Sequence, residues 1–253
     1  TDDNTANLIF SYSEAVVRNF SREVQLDWLE RLGQSQAPVP LTVDARIWFN
    51  ENLESKAFIV PSVVAIVMAV IGAFLTALTI AREWERGTME QLISTPVTPL
   101  EVMLGKLVPY FAIGLFDTAV CAAVAIWWFE VPFRGHVSTL FAASVLFLVA
   151  VLGLGYFISV VAKTQLAASQ AALVATFLPA FLLSGFIFSI EQMPAVIRAI
   201  THLVPARYYV AILKAVFLKG AGVAALKWEM LALAVFALLL GGLATRAFQK
   251  RLS

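Results

Sequence analysis

Charge and cysteine are scarce in this sequence. Only 14% of its 253 residues are Asp, Glu, Lys or Arg, and the formal net charge is +1, whereas about a quarter of a soluble domain is usually charged. A nucleic-acid-binding protein is not expected, because its surface needs a strong excess of basic residues. The single cysteine, Cys121, excludes an intramolecular disulfide. We expect no metal site, since His136 and His202 lie in loops between apolar segments.

A nucleotide-binding motif is also missing. The phosphate-binding pattern G-x-x-x-x-G-K-[ST] does not occur, since Gly105-Lys106 is followed by Leu107 and has no upstream glycine at the required spacing. A membrane-embedded protease is disfavoured as well. Its aspartyl type needs two intramembrane carboxylates, and its serine type needs a histidine at the depth of the serine. We therefore expect no cofactor and no catalysis on this chain.

Apolar residues, by contrast, make up 60% of the sequence. Five runs are long enough to cross about 30 Å of hydrocarbon, which takes roughly 20 helical residues. Backbone polar groups in lipid must be satisfied within their own segment, so each run is predicted to be a helix. The predicted spans are residues 57–81, 107–129, 137–162, 164–190 and 230–247.

Residues 1–56 have a different character. Apolar residues recur at three- and four-residue steps from Ile9 to Trp28, which predicts an amphipathic helix. Alternation from Leu41 to Phe49 predicts a half-buried strand. One helix and one strand do not make a domain, and the first residue is Thr rather than Met, so we expect the rest of a small α/β domain to lie upstream.

The loop after the first span combines charges of both signs with apolar residues. Trp84, Met89 and Leu92 alternate with charged positions, which predicts a short amphipathic helix along the membrane surface, at about residues 82–95. Thr95-Pro96 would end this helix, because the residue before a proline is disfavoured in the helical region. Two interpretations stay open on these grounds, a solvated connector and a docking surface. The Lys and Arg distribution slightly favours placing this loop in the cytoplasm.

Several ordered motifs carry a family resemblance. They are Glu83–Glu90, Ser94–Pro96, Val131–Gly135, Leu183–Phe188, Met193–Arg198 and Pro205–Tyr209. Together they closely resemble the bacterial ABC-2 type permeases, and within that superfamily the Ybh/Yhh-like multidrug exporter membrane subunits. The resemblance covers essentially the whole chain.

The resemblance implies an all-α polytopic membrane protein, an ABC-2 permease of type V exporter-like fold, in the bacterial inner membrane. Such permeases have six membrane helices and a large extracytoplasmic domain between the first two. This sequence departs from the pattern, because five helices are visible and residues 1–56 match only the C-terminal fragment of that α/β domain. Residues 57–253 would then form the permease domain. Its segment 184–219 would form outer re-entrant or interfacial helices before the last span.

The function implied by the resemblance is that of the membrane subunit of an ATP-driven exporter for hydrophobic or amphipathic, drug- or lipid-like compounds. Its implied partners are an ABC ATP-binding subunit that holds ATP and Mg, a second permease copy, a periplasmic adaptor protein and the lipid bilayer. An ion- or proton-coupled secondary transporter is the alternative. That class is expected to show an internal repeat and several polar sites at the bilayer midplane, and neither is evident here.

Three groups of candidate functional residues follow. The resemblance assigns coupling to the ATPase subunit to Arg82, Glu83, Trp84, Glu85, Arg86, Gly87, Thr88 and Glu90. The candidate translocation path consists of Phe58, Phe74, Thr176, Phe177, Phe181, Ser184, Phe186 and Phe188. Aromatic residues are also ordinary packing or lipid-facing residues, and that alternative stays open. Asp117, the intramembrane acid, is either functional or hydrogen-bonded to a neighbouring helix.

Overall fold

The fold was obtained as a computed structural model, which describes residues 13–14, 16–21, 23–24, 28, 55–89, 91, 94, 96–162 and 164–252. The chain divides into two units, Thr1–Phe58 and Ile59–Ser253. In the first unit, the described residues between 13 and 28 are helical, and Arg18 pairs with Glu14 one turn earlier. The predicted apolar stripe of this helix is exposed at Val16, Phe20, Val24 and Trp28. The predicted strand from Leu41 to Phe49 lies outside the described residues.

The second unit is a bundle of helices, of which the first begins at Ser55, within the first unit. In chain order these are α1 (Ser55–Arg86), α2 (Pro99–Trp127), α3 (Val137–Val161), α4 (Gln165–Leu183), α5 (Ala195–Thr201), α6 (Pro205–Lys214) and α7 (Lys227–Leu252). A 3₁₀ turn, Ile190–Gln192, precedes α5, and a π-helical turn, Ala215–Lys219, continues α6. Within the residues that the structure describes, five helices are long and apolar enough to cross a membrane, namely α1 to α4 and α7. The all-α polytopic fold is thereby confirmed.

Local sequence signals set the helix ends. At the start of α2, the Thr98 N–H donates to Glu101 Oε2 at 2.8 Å while Thr98 Oγ1 accepts from the Glu101 N–H at 3.4 Å, a reciprocal capping box. Pro99 follows at the first helical position, where its missing N–H costs nothing. At the start of α4, Thr164 Oγ1 accepts from the Ala167 N–H at 3.3 Å.

The fourth predicted span, 164–190, is too long. Helix α4 ends at Leu183, and Gly185 follows with a φ of +82°, in the left-handed region that stops a helix and favours glycine. Residues after Gly185 form turns and the 3₁₀ element instead of continuing the span. The small pair Ser184-Gly185 was the sequence signal for this end.

Helix α3 lies at the centre of the bundle, where it packs against α2, α4, α6 and α7. It also approaches α1 closely. A Cβ atom on Gly155 would lie 2.0 Å from Thr76 Oγ1 and 2.5 Å from the Ala73 carbonyl oxygen, so only glycine permits this helix separation. Ser159 fixes the same contact, because its Oγ accepts from the Ile80 and Ala81 N–H groups at 2.8 and 3.0 Å.

The region between α4 and α7 contains the two short helices α5 and α6. The segments Ala195–Thr201 and Pro205–Lys219 are bent by 87° relative to each other. Short helices were predicted for residues 184–219, and their interfacial position at the outer leaflet stays a prediction.

Candidate functional site

The charged segment after the first span differs from its prediction as a separate surface helix at 82–95. Helix α1 continues without a break through Arg82–Arg86 and ends at Gly87, whose φ is +70°. No helix-breaking residue separates the apolar run from the charged residues, so the helix continues through them. Thr88 closes the turn, since its N–H donates to the Glu83 carbonyl oxygen at 3.1 Å. Glu90 lies outside the described residues.

Trp84 and Met89, the described apolar residues of this segment, contact the interior of the bundle. Met89 is buried in a cluster with Ile80, Met103 and Tyr156, and Trp84 packs against the same cluster. Trp84 Nε1 is buried, and no described residue accepts its hydrogen. Trp84 and Met89 therefore anchor the segment to the bundle, and the exposed charged residues of the segment are available for other contacts.

Glu83 joins the end of α1 to α2. Its Oε1 lies 2.8 Å from Lys106 Nζ, and the two side chains are 28% and 26% exposed. The Thr88 hydroxyl donates to the other carboxylate oxygen of Glu83. The ion pair is thus partly shielded from water, where screening is weaker than at a fully exposed pair.

Glu85 and Arg82 join the end of α1 to α4. Glu85 Oε2 accepts from the backbone N–H of Gln165 at 2.8 Å and from Gln165 Nε2 at 3.2 Å. Arg82 Nε donates to Gln165 Oε1 at 3.3 Å. Gln165 is the first residue of α4, so a carboxylate from α1 satisfies a free N–H at the positive end of this helix. Sequence reasoning missed both Gln165 and Lys106 as partners of the coupling residues.

We call Arg82–Thr88, with Lys106 and Gln165, the coupling end of the bundle, after the role that was predicted for Arg82–Thr88. Arg82, Glu85, Arg86 and Gly87 are exposed there, whereas Glu83, Trp84 and Thr88 are half-buried. The arrangement can transmit a displacement of α1 to α2 and α4 at once, because each is tied to α1 by a polar contact.

Three of the predicted path phenylalanines lie together. The ring centroids of Phe177 and Phe181 are 5.2 Å apart, and those of Phe181 and Phe186 are 5.6 Å apart. Phe188, two residues after Phe186, is exposed. Phe74 is half-buried on α1, and Phe58 belongs to the first unit. A shared pathway between these two residues and the α4 rings stays a prediction.

The two polar path residues differ in their hydrogen bonds. Thr176 Oγ1 donates to the Ala172 carbonyl oxygen at 2.6 Å, within its own helix. The Ser184 hydroxyl is buried, and no described residue forms a hydrogen bond with it. Ser184 is therefore a polar group available to a bound molecule, whereas Thr176 is already satisfied.

A cavity of about 380 Å³ lies between α3, α4, α7 and the segment joining α5 to α6. Thr176 lines it, and Phe147, Val204 and Phe236 give it an almost wholly apolar wall. Sequence reasoning did not find this cavity, because its walls come from helices far apart in the sequence.

Asp117 lines a second cavity of about 230 Å³ between α1, α2 and α3. Cys121 Sγ donates to Asp117 Oδ1 at 3.7 Å, one turn along the same helix. Residues on four helices form a buried polar network, in which Ser144 Oγ and Tyr209 OH are 2.8 Å apart, and Tyr209 OH and Thr118 Oγ1 each lie 3.3 Å from Met68 Sδ. The hydrogen bond from Asp117 to a neighbouring helix, which was one open interpretation, is not seen among the described residues.

A family model described as ABC-2 family transporter protein matches residues 1–246. The chain belongs to this family. The resemblance on which the sequence motifs converged is therefore confirmed.

This ABC-2 chain is 46% identical over 220 residues to the "Probable multidrug ABC transporter permease YbhS" of Escherichia coli (strain K12), which covers 87% of this chain and 57% of that relative. It is 31% identical over 223 residues to the "Probable multidrug ABC transporter permease YbhR" of the same strain, covering 87% and 58%. It is also 23% identical over 197 residues to "ABC transporter G family member 20" of Dictyostelium discoideum, covering 76% and 27%. The ABC-2 chain thus spans little more than half the length of the bacterial relatives.

Proposed function

We propose that this chain belongs to the membrane subunit of an ATP-driven ABC exporter in the bacterial inner membrane. The observation that carries the proposal is the coupling end, where one charged segment is tied to two further membrane helices and still exposes charge. Family membership and the names of the bacterial relatives support the same function.

In this proposal the ATP-binding partner holds ATP and Mg and docks on the exposed charges of the coupling end, at Arg82, Glu85 and Arg86. When nucleotide binding moves the partner, the end of α1 moves with it. The Glu83–Lys106 pair carries the displacement to α2, and the Glu85–Gln165 contact carries it to α4. The chain itself performs no catalysis.

A second permease copy, identical or paralogous, completes the exporter. Its proposed contacts are the exposed apolar faces of α1 and α4, where Ile71, Val174 and Leu178 are among the outward side chains. Lipid covers the rest of the exposed apolar surface, including Phe116 on α2.

The proposed cargo is a hydrophobic or amphipathic compound. The row Phe177, Phe181 and Phe186 offers flat apolar contact area with few fixed polar groups, which suits drug- or lipid-like molecules and poorly replaces the hydration of a sugar or small ion. We propose release near Ser184–Phe188, with onward transfer to a periplasmic adaptor protein.

The docking assignment is tested by charge reversal. In the full-length permease, Arg82→Glu with Arg86→Glu should abolish copurification of the ATP-binding subunit and ATP-dependent efflux. Stranding a charge at a partly desolvated interface costs ~2–5 kcal/mol, which is about thirtyfold or more in affinity.

Lys227→Glu, at the exposed start of α7, is the matched control and should leave both measurements unchanged. Normal copurification and normal efflux by the double variant would show that the ATPase docks elsewhere. Efflux driven by an ion gradient without any ATPase subunit would instead favour a secondary transporter.

A further inference from the structure

We propose that the cavity between α1, α2 and α3 binds the positively charged group of a lipophilic organic cation, with Asp117 as its counter-ion. This inference rests on the proposed export function and names a substrate class for it. It concerns a site separate from the row of phenylalanines on α4 and from the larger apolar cavity.

Asp117 lies near the middle of the membrane span. Lys106 and Trp127 stand at the two ends of the apolar part of α2, where such residues reach the bilayer interfaces. At a rise of 1.5 Å per residue, Asp117 is about 16 Å from one and about 15 Å from the other. An ionisable group at that depth is retained only where it has a partner or a task.

The described part of the chain gives Asp117 no basic partner. Its contact is the Cys121 thiol at 3.7 Å, and a thiol is a weak donor that cannot balance a carboxylate. The nearby Thr118 hydroxyl is directed elsewhere, to the Gly114 carbonyl oxygen at 2.8 Å. A cation supplied from outside would provide the missing countercharge.

The walls of the cavity fit an organic cation better than an inorganic one. Tyr110 and Phe116 bring aromatic rings to the same cavity as the carboxylate, and rings of this kind attract an ammonium group through their faces. The remaining lining includes Met68 and Leu148, which are apolar. A bare metal ion would need several oxygen ligands, and no group of three or more His, Cys, Asp or Glu side chains suited to a metal occurs among the described residues.

The size and opening of the cavity suit a charged head with an apolar body. Its volume of about 230 Å³ is below the roughly 300 Å³ at which pockets for whole drug-sized ligands begin. Ile71, Ile113 and Phe116 at its edge are exposed, so the cavity opens sideways on the surface that faces lipid or a second subunit. The head would lie against Asp117 while the apolar body extends through this opening.

The test compares a cationic probe with its neutral parent. Trimethylammonium diphenylhexatriene carries a fixed positive charge, and diphenylhexatriene does not. Binding of each is measured by energy transfer from tryptophan in the full-length permease with its ATPase subunit, in nanodiscs without nucleotide, after subtraction of empty nanodiscs. Asp117→Asn should weaken binding of the cation about tenfold or more and leave the neutral probe unchanged.

Two further variants sharpen the result. Asp117→Glu keeps the charge and should bind the cation within about threefold of the wild type, and Cys121→Ala should do the same, since the thiol only touches the carboxylate. Equal cation binding by Asp117→Asn and wild type would overturn the proposal. An equal loss of both probes would overturn it too, because it would indicate a packing role for Asp117.

The assay is independent of the proposed docking of the ATPase. The Arg82→Glu, Arg86→Glu variant, which is expected to lack the ATPase subunit, should bind the cation as tightly as the wild-type permease measured without that subunit. Loss of efflux with intact cation binding would therefore count against the export mechanism and not against this site.

Discussion

The two ends of the bundle are held together in different ways. At the coupling end, side chains join separate helices, as in the Glu83–Lys106 pair and the Glu85–Gln165 contact. At the opposite end, most side-chain hydrogen bonds are donated to backbone carbonyl oxygens. Arg198 donates to the Glu191 carbonyl oxygen at 2.9 Å, and Lys214 donates to the Gly185 carbonyl oxygen at 2.7 Å. We refer to this second region, Ser184–Lys219, as the turn end.

This difference suggests separate tasks for the two ends, the transmission of motion at one and the selection of cargo at the other. Helices tied by side-chain contacts must move together, so the coupling end suits the transmission of force. Aromatic contacts such as the one between Phe181, on α4, and Phe186, in the turn end, have no strict directional requirement and tolerate a changing neighbour. We therefore expect the surface where α4 meets the turn end to accept varied apolar molecules. Four measurements test this contrast.

The largest effect is expected at the phenylalanine row. Phe181→Ala with Phe186→Ala should change the ratio of export rates between a bulky and a slim hydrophobic compound about tenfold, because discrimination in an apolar site follows the shape of its walls. ATPase stimulation should stay as in the wild type. Phe133→Ala is a control, since this ring packs edge-on against Phe217 at 5.1 Å, away from α4. An unchanged ratio in the double variant would reject the path assignment.

A smaller effect is expected when α1 is released from α4. Gln165→Ala removes the side-chain contacts to Arg82 and Glu85 and leaves the backbone N–H in place. We expect ATP-driven efflux to fall about fivefold, within the range of single contacts along a coupling path. Copurification of the ATPase subunit should persist. Ser169→Ala, one turn later and bonded only to the Leu166 carbonyl oxygen, should have no effect. Normal efflux in Gln165→Ala would mean that this contact transmits nothing.

The Glu83–Lys106 pair should contribute modestly to stability. Because both side chains are partly exposed, their coupling energy should be about 0.5–1 kcal/mol. It can be measured as the non-additivity of Lys106→Met and Glu83→Gln in a double-mutant cycle of unfolding free energy in mixed micelles. Strict additivity would show that the pair is too well solvated to link α1 and α2.

The fourth prediction, also on stability, concerns Gly185. Its φ of +82° disfavours a side chain, and a Cβ there would lie 3.2 Å from Ile190 Cδ1. Gly185→Ala should therefore lower stability by about 1 kcal/mol, seen as a lower midpoint of thermal unfolding. Gly222→Ala is the matched control, because a Cβ at that residue meets nothing within 4 Å. Equal midpoints for the two variants would show that the turn end is loosely defined at Gly185.

Much of the fold could be predicted because membrane helices depend on local composition. The lengths of the apolar runs placed all five spans, and the motifs identified the family before any contact was known. The error at the end of α4 had a local cause, the left-handed turn at Gly185, which a hydropathy pattern does not register. The prediction for α1 also missed the end of the helix. The first charged residues were taken as its end, although Arg and Glu are good helix formers.

The contacts of the site could not be predicted in this way. Glu85 and Gln165 are 80 positions apart, and the sequence around each of them contains no pattern that predicts their contact. The cavity at Asp117 likewise depends on three helices meeting, with Gly72 and Gly114 leaving room between them. In the sequence, Asp117 was unusual only because it lies well inside a predicted span. The aromatic rings that line the same cavity could be identified only from the fold.

Gly155 on α3 approaches α1 so closely that α1 can be compared to a rod resting on a pivot. The contact at Ala73 and Thr76 leaves no gap, so α1 cannot translate towards α3, and we expect any motion of α1 to be a tilt about this point. Arg86 stands ten residues beyond Thr76, which gives a lever arm of about 15 Å. A tilt of about 10° would then displace the charged tip by about 3 Å, roughly the length of one hydrogen bond. A rotation too small to disturb the packed centre is thus enough to make or break a polar contact at the tip.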